Sequence, residues 1–121
     1  MGSAIRLCRA ESLAEGEARG FDPQGIGQAE VIALRYQGQL YLWRNRCPHL
    51  NTPMNWQQHA FMNAARDRLV CFAHGALFEP DSGLCIQGAC LGQRLTPLSF
   101  RVDAKGWLLL ERNNNDETGN T

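Results

Sequence analysis

The chain has 121 residues, and its 12 acidic and 12 basic residues give a formal net charge of zero. This length fits one domain, and no run of Lys and Arg provides the basic surface that nucleic-acid binding requires. No apolar run approaches the roughly 20 residues that a membrane-spanning helix needs, and no secretory signal follows Met1. We therefore expect neither a nucleic acid nor a membrane as partner.

Short apolar runs divided by turn signals make up most of the chain, which is typical of an all-β sandwich or barrel. Residues 10–20 are predicted as loop, and residues 51–66 as a short helical turn or an ordered loop. A folded domain over residues 4–112 is expected to precede a polar, Asn-rich and disordered tail at residues 113–121. In chain order, strands are predicted at residues 4–9, 29–36, 39–44, 68–72, 76–79, 84–87, 95–102 and 107–111. The strand at residues 95–102 is interrupted by Pro97, which indicates an edge strand or a strand start.

The second and third of these strands form the clearest local unit. Residues 29–36 and 39–44 are both rich in branched and aromatic side chains, and Gln37-Gly38 between them is a tight-turn signal. The pattern predicts a β-hairpin that leads the chain directly to Cys47.

Two short motifs carry the chemistry of the chain. The first reads Cys47-Pro48-His49, and the second reads Cys71-Phe72-Ala73-His74-Gly75. Each motif supplies one thiol and one imidazole, a combination that suits zinc or an iron–sulfur cluster. The chain has only 3 histidines, and two of them stand in these matching positions.

A Cys-X-His motif followed by Cys-X-X-His-Gly resembles the signature of the Rieske [2Fe–2S] family. The resemblance implies an antiparallel β sandwich with two cluster-binding loops at one tip. It also implies that Cys47 and Cys71 bind one iron, and that His49 and His74 bind the other. The interval from His49 to Cys71 is longer than the family pattern, which indicates an insertion between the loops.

This chain differs from the high-potential members of that family in residues that would surround the cluster. Those members have a serine and a tyrosine whose hydroxyls donate to cluster sulfurs, where this chain has Ala76 and Phe78. They also join their two ligand loops by a disulfide, which Thr52 and Ala73 cannot form here. The resemblance therefore implies a soluble protein of low reduction potential.

Electron transfer is the function that the resemblance implies. We expect a cytoplasmic ferredoxin, a monomer in isolation, that passes single electrons from a reductase to an oxygenase or another redox enzyme and has no catalytic residue of its own. One alternative is the small Rieske subunit of a larger nitrite reductase or oxygenase, and another is a zinc-stabilised interaction module. A complete oxygenase is excluded, because a facial-triad iron site needs two further histidines and only His59 remains.

The number of cysteines is odd, which does not suit a disulfide framework and favours a reducing compartment. Cys8 is predicted to be a small buried side chain in the first strand. Cys85 and Cys90 are expected to be free thiols near the cluster, with a disulfide or redox role as the alternative. The five cysteines are Cys8, Cys47, Cys71, Cys85 and Cys90.

The surface around the two histidines is expected to be the docking face, because no charged residue stands next to them in the motifs. His59 is expected to be an ordinary solvent-facing side chain. The predicted apolar rim consists of Pro48, Leu50, Phe72 and Ala73, with Trp56 nearby.

Overall fold

The computed structural model describes residues 4–49, 51–55 and 57–111. Its regular elements within these ranges are β-strands and one short 3-10 helix, so the predicted all-β class is confirmed. No helix in this part of the chain has the length and hydropathy to cross a bilayer. The strands are β1 (Ala4–Arg9), β2 (Ala18–Phe21), β3 (Val31–Tyr36), β4 (Gln39–Arg44), β5 (Leu69–Cys71), β6 (Ala76–Phe78), β7 (Cys85–Gln87), β8 (Phe100–Val102) and β9 (Trp107–Glu111), and the 3-10 helix is Ala10–Ser12.

The strands form three antiparallel sheets of three strands each, in the orders β1-β9-β8, β2-β3-β4 and β5-β6-β7. Successive side chains of a strand point to opposite faces, and on β3 both faces are buried. Ile32 and Leu34 contact the core shared with β5, β6 and β7, whereas Val31 and Ala33 contact the core shared with β9. The β2-β3-β4 sheet is therefore the middle layer, with one hydrophobic core on each side.

The predicted hairpin is present, and its strands pair from Val31 with Arg44 to Tyr36 with Gln39. Gln37 at the turn has a φ of +51° and Gly38 one of +79°, which are the left-handed angles that a two-residue hairpin turn requires. The hairpin sets the position at which the chain leaves β4 and enters the first ligand motif.

The prediction of loop for residues 10–20 is wrong at its end. Ala18–Phe21 is a strand that pairs with β3 over four residues. Ala18 and Gly20 are residue types that are depleted in strands, so pairing with β3 decides the conformation of this segment. Gly20 fits there because a β-carbon would lie 2.5 Å from the carbonyl oxygen of Gln58.

The strand predicted over residues 95–102, with an interruption at Pro97, is regular only at Phe100–Val102. Leu95 and Leu98 are nevertheless buried, and Pro97 makes only an isolated bridge to Trp43. On either side of Pro97, Arg44 N–H donates to Thr96 O at 2.9 Å and Leu98 N–H donates to Leu42 O at 3.0 Å. The chain thus bonds to β4 around Pro97, in a position that needs no proline N–H, and pairs with β9 only from Phe100.

The predicted insertion at residues 51–66 is an ordered loop in its described part. Met54 and Phe61 are fully buried in the core beside β5, and Val70 N–H donates to Phe61 O at 2.8 Å. This segment therefore packs as part of the fold. The predicted tail at residues 113–121 lies outside the described residues.

Candidate metal centre

The first ligand loop begins at Cys47, three residues after the end of β4 at Arg44. Cys47 N–H donates to Thr52 O at 2.7 Å, and Asn51 N–H donates to Cys47 O at 2.7 Å. Asn51 has a φ of +59°, a left-handed angle that Asn adopts more readily than most residues. These contacts close the chain between Cys47 and Thr52 into a tight loop that carries His49.

The second ligand loop joins β5 to β6. Cys71 is the last residue of β5 and pairs with Ala76 at the start of β6. Gly75 N–H donates to Cys71 O at 2.6 Å, and Gly75 has a φ of +77°. A β-carbon on Gly75 would meet no atom within 4 Å, so the backbone angle, and not space, explains the glycine of the motif.

The two loops are tied to each other through residues that follow the first loop. Phe72 N–H donates to Met54 O at 2.8 Å, which links the second loop to the segment after Thr52. Met54 N–H in turn donates to the side-chain oxygen of Asn45 at 2.8 Å. The relative position of the loops thus depends on backbone contacts that the motifs do not show.

Asn45 is a site residue that the sequence motifs did not indicate. Its side chain is 5% exposed, and its Nδ2 donates to Ala29 O at 2.9 Å and to Asn55 Oδ1 at 2.8 Å. It therefore connects the end of β4, the entry to β3 and the segment after the first loop. In the sequence, the only indication of this role was that Asn45 is a polar residue between the apolar strand β4 and the Cys47 motif.

The four predicted ligands lie on these two loops as two pairs, one of cysteines and one of histidines. Cys47 and Cys71 are fully buried, whereas His49 and His74 are exposed. The two imidazole rings have their centroids 5.1 Å apart and meet edge to face at 81°. The site therefore has a pair of thiols below the surface and a pair of imidazoles at the surface.

Burial governs the acid–base state of the thiols. It raises the pKa of the Cys71 thiol, and the neighbouring Cys47 thiol raises that pKa further. Because a metal binds the thiolate, binding must displace these protons. The two sulfurs are thus close to each other and shielded from water.

This arrangement fits a two-iron group. Among the described residues, no three His, Cys, Asp or Glu side chains converge closely enough for a single ion, and the donors stand instead as two pairs. Thiolates and neutral imidazoles are the ligands of a [2Fe–2S] cluster of mixed ligation. The Thr52 hydroxyl is buried without a hydrogen-bond partner in the described part of the chain, which leaves a free donor in the first loop.

Cys85 and Cys90 lie in the same core as Cys47 and Cys71 and are free thiols, as predicted. Burial, followed by the neighbouring Cys85 thiol, raises the pKa of Cys90 to about 12. The loop between them packs closely on the start of β6, because a β-carbon on Gly88 would lie 2.9 Å from the Cα of Ala76.

The remaining predicted residues lie away from the four ligands or complete the rim. His59 is exposed, as expected, and its Nδ1 accepts a hydrogen bond from Gly20 N–H at 3.1 Å. Cys8 is half-buried against the second core, so the prediction that it is buried holds only in part.

In the predicted apolar rim, Phe72 is 40% exposed, Ala73 is exposed and Pro48 is half-buried. Leu50 and Trp56 lie outside the described residues.

Solved structures with the same fold include ferredoxins and a ferredoxin complex. The ferredoxin of carbazole 1,9a-dioxygenase from Nocardioides aromaticivorans IC177 has a TM-score of 0.65 at 19% identity, over 89% of this chain and 96% of that chain. The Sphingomonas yanoikuyae B1 ferredoxin has a TM-score of 0.64 at 20% identity, over 90% of this chain and 98% of that one. A complex of reduced oxygenase and oxidized ferredoxin in carbazole 1,9a-dioxygenase matches with a TM-score of 0.65 at 20% identity, over 88% of this chain and 91% of that chain.

At these identities the similarity establishes the fold, and the family rests on a separate match. A comparison with curated protein sequences found no match. The family model described as Rieske [2Fe-2S] domain matches residues 3–103, which include both ligand motifs. The chain therefore belongs to the Rieske [2Fe–2S] domain family and carries the [2Fe–2S] cluster of that family.

Proposed function

We propose that this protein is a low-potential Rieske ferredoxin of the cytoplasm, which passes single electrons from a reductase to an oxygenase or another redox enzyme. The observation that carries the proposal is the layered site: two buried thiols beneath two exposed imidazoles. When bound, the cluster accepts and releases one electron. A similar ferredoxin has been solved in complex with the oxygenase of carbazole 1,9a-dioxygenase, which supports an oxygenase as the acceptor.

In this proposal, Cys47 and Cys71 would hold one iron of the cluster, and His49 and His74 would hold the other. The buried cysteines would exclude water from their side of the site, and the exposed imidazoles would connect the site to the surface. Net charge is zero, so long-range steering of partners by overall charge is weak. Docking then depends on the apolar rim and on hydrogen bonds to the exposed imidazole nitrogens.

The proposal is tested by titrating the purified, iron-loaded protein with dithionite under anaerobic conditions. We expect one electron per chain, with a reduced-state EPR signal and reoxidation by a Rieske oxygenase from the same host. A colourless protein that contains one zinc ion per chain would instead support the interaction-module alternative. A coloured protein that exchanges no electron with any reductase or oxygenase of the host would contradict the carrier function.

The midpoint potential is expected near the low end of the Rieske range, at about −150 mV. Ala76 is fully buried directly after the second ligand loop and has no hydroxyl to donate to a cluster sulfur. Ala76→Ser adds such a donor, stabilises the more negative reduced cluster and should raise the midpoint. Spectroelectrochemistry measures both values, and a wild-type midpoint close to about +300 mV would contradict this explanation.

A charge in the apolar rim should slow electron transfer. Phe72→Glu places a carboxylate beside the proposed docking face, and its desolvation on docking should cost about 1.4 kcal/mol or more, which is about tenfold in transfer rate. Stopped-flow reoxidation of the reduced protein by a Rieske oxygenase of the host measures this rate.

The matched control is Val102→Glu. Val102 is 44% exposed, against 40% for Phe72, and lies on β8 in the sheet that does not carry the ligands. The optical spectrum should be unchanged in both variants. Equal rates for Phe72→Glu, Val102→Glu and the wild type would show that the acceptor docks elsewhere.

A further inference from the structure

Two thiols beside the metal centre have no place in the proposed ligand set. The Sγ atoms of Cys85 and Cys90 are 2.9 Å apart, and the two residues are 1% and 0% exposed. A disulfide bond joins its sulfurs at about 2.05 Å, so closing the remaining distance requires a movement of less than about 1 Å.

The backbone holds these two residues at this separation. Cys85 N–H donates to Gln93 O at 2.8 Å, and Gly92 N–H donates to Cys85 O at 3.0 Å. Gln93 N–H donates to Cys90 O at 2.8 Å. The chain therefore turns back on itself between β7 and residue 93, and the approach of the two side chains follows from this turn.

We propose that Cys85 and Cys90 are a reversible dithiol–disulfide site, oxidised by low-molecular-weight disulfides of the glutathione class. A sulfur of the pair attacks one sulfur of the oxidised glutathione, and a protein–glutathione disulfide forms as one reduced glutathione leaves with the proton. The second sulfur of the pair then attacks the bound protein sulfur and releases the second reduced glutathione. In total, two electrons and two protons pass from the cysteines to the glutathione disulfide.

In the iron-loaded protein, thiol–disulfide exchange is directed to Cys85 and Cys90. The inference rests on the proposed ligand set in one respect: with Cys47 and Cys71 bound to iron, their sulfurs are not available for exchange. Cys8 packs against the other core. Cys85 and Cys90 are then the two free cysteines that lie within bonding reach of each other in the iron-loaded protein.

Access to the pair lies through the surface turn. Gln87, Gly88 and Ala89 are exposed, and Leu91 is 67% exposed, although both sulfurs are covered. The turn must therefore open before exchange, which should take minutes to hours without a catalyst. Closure would join residue 90 to β7 and restrain the turn that packs on Ala76.

The test uses the iron-loaded protein, incubated anaerobically with oxidised glutathione, then denatured in an alkylating reagent and analysed by mass spectrometry. We expect a loss of the mass of two hydrogen atoms, with iron content unchanged before denaturation. In the tryptic peptide 69–94, Cys71 should be alkylated, while Cys85 and Cys90 should be protected and linked. Dithiothreitol should restore both thiols.

Cys85→Ser and Cys90→Ser should each prevent formation of the disulfide. The Cys8→Ser variant should form the Cys85–Cys90 disulfide to the same extent as the wild type. An absence of the linked peptide in the wild type would overturn the proposal, as would closure in either of the first two variants. Loss of iron in proportion to closure would also overturn it, because the reacting thiols would then be ligands. Iron content and the EPR signal before oxidation test the ligand set independently of this result.

Discussion

Cys47→Ala and His74→Ala should each abolish the visible absorption and the reduced-state EPR signal of the protein. Each substitution removes one of two donors from one iron, and the remaining buried thiol or exposed imidazole cannot complete that iron's coordination. Iron and acid-labile sulfide should fall from two of each per chain, as the [2Fe–2S] composition requires, to near zero. Optical spectroscopy and iron analysis of protein purified under identical conditions measure the effect.

Two control variants substitute a histidine and a cysteine that are not predicted ligands. His59→Ala removes the third histidine, which is exposed and accepts from Gly20 N–H, and Cys8→Ala removes a thiol from the second core. Both should retain full iron and sulfide. Either ligand variant that kept the wild-type spectrum would remove that residue from the proposed ligand set.

Asn45→Leu should be the most damaging substitution outside the ligands. It leaves the Met54 N–H, the Ala29 carbonyl and the Asn55 side chain without their partner at a buried position. An unpaired buried polar group costs about 1–3 kcal/mol, so we expect a loss of about 3 kcal/mol or more in the free energy of unfolding. The melting temperature of the apoprotein should fall by roughly 10 °C or more.

Iron retention should fall as well, because Met54 positions the second ligand loop through Phe72. The matched control is Asn63→Leu, the same chemical change at a loop cap that bonds Asp67 and Arg68 and does not touch either ligand loop. Asn63→Leu should lower the melting temperature less and leave the rate of iron loss to a chelator unchanged. If Asn45→Leu retained iron as firmly as Asn63→Leu, the ligand loops would not depend on the Asn45 contacts.

The sequence by itself was sufficient where the determining chemistry is local. The Cys47 and Cys71 motifs indicated the family, which the family model over residues 3–103 confirms. The ligand set that they predict follows from residue type and short spacing and stays a prediction. The strands at Ala4–Arg9, Gln39–Arg44 and Trp107–Glu111 were predicted with the bounds that the structure has. Their side-chain patterns and turn residues determine the conformation within a few residues.

Only the tertiary structure decided the features that depend on distant contacts. The strand Ala18–Phe21 exists because β3 pairs with it. The segment before Phe100 bonds to β4, whereas Phe100–Val102 pairs with β9, so a change of partner strand sets where β8 begins. Asn45 joins ligand loops through atoms that are remote in sequence, and the turn after β7 brings the sulfurs of Cys85 and Cys90 to 2.9 Å. Residue type shows what a side chain can do, whereas folding determines which partners surround it.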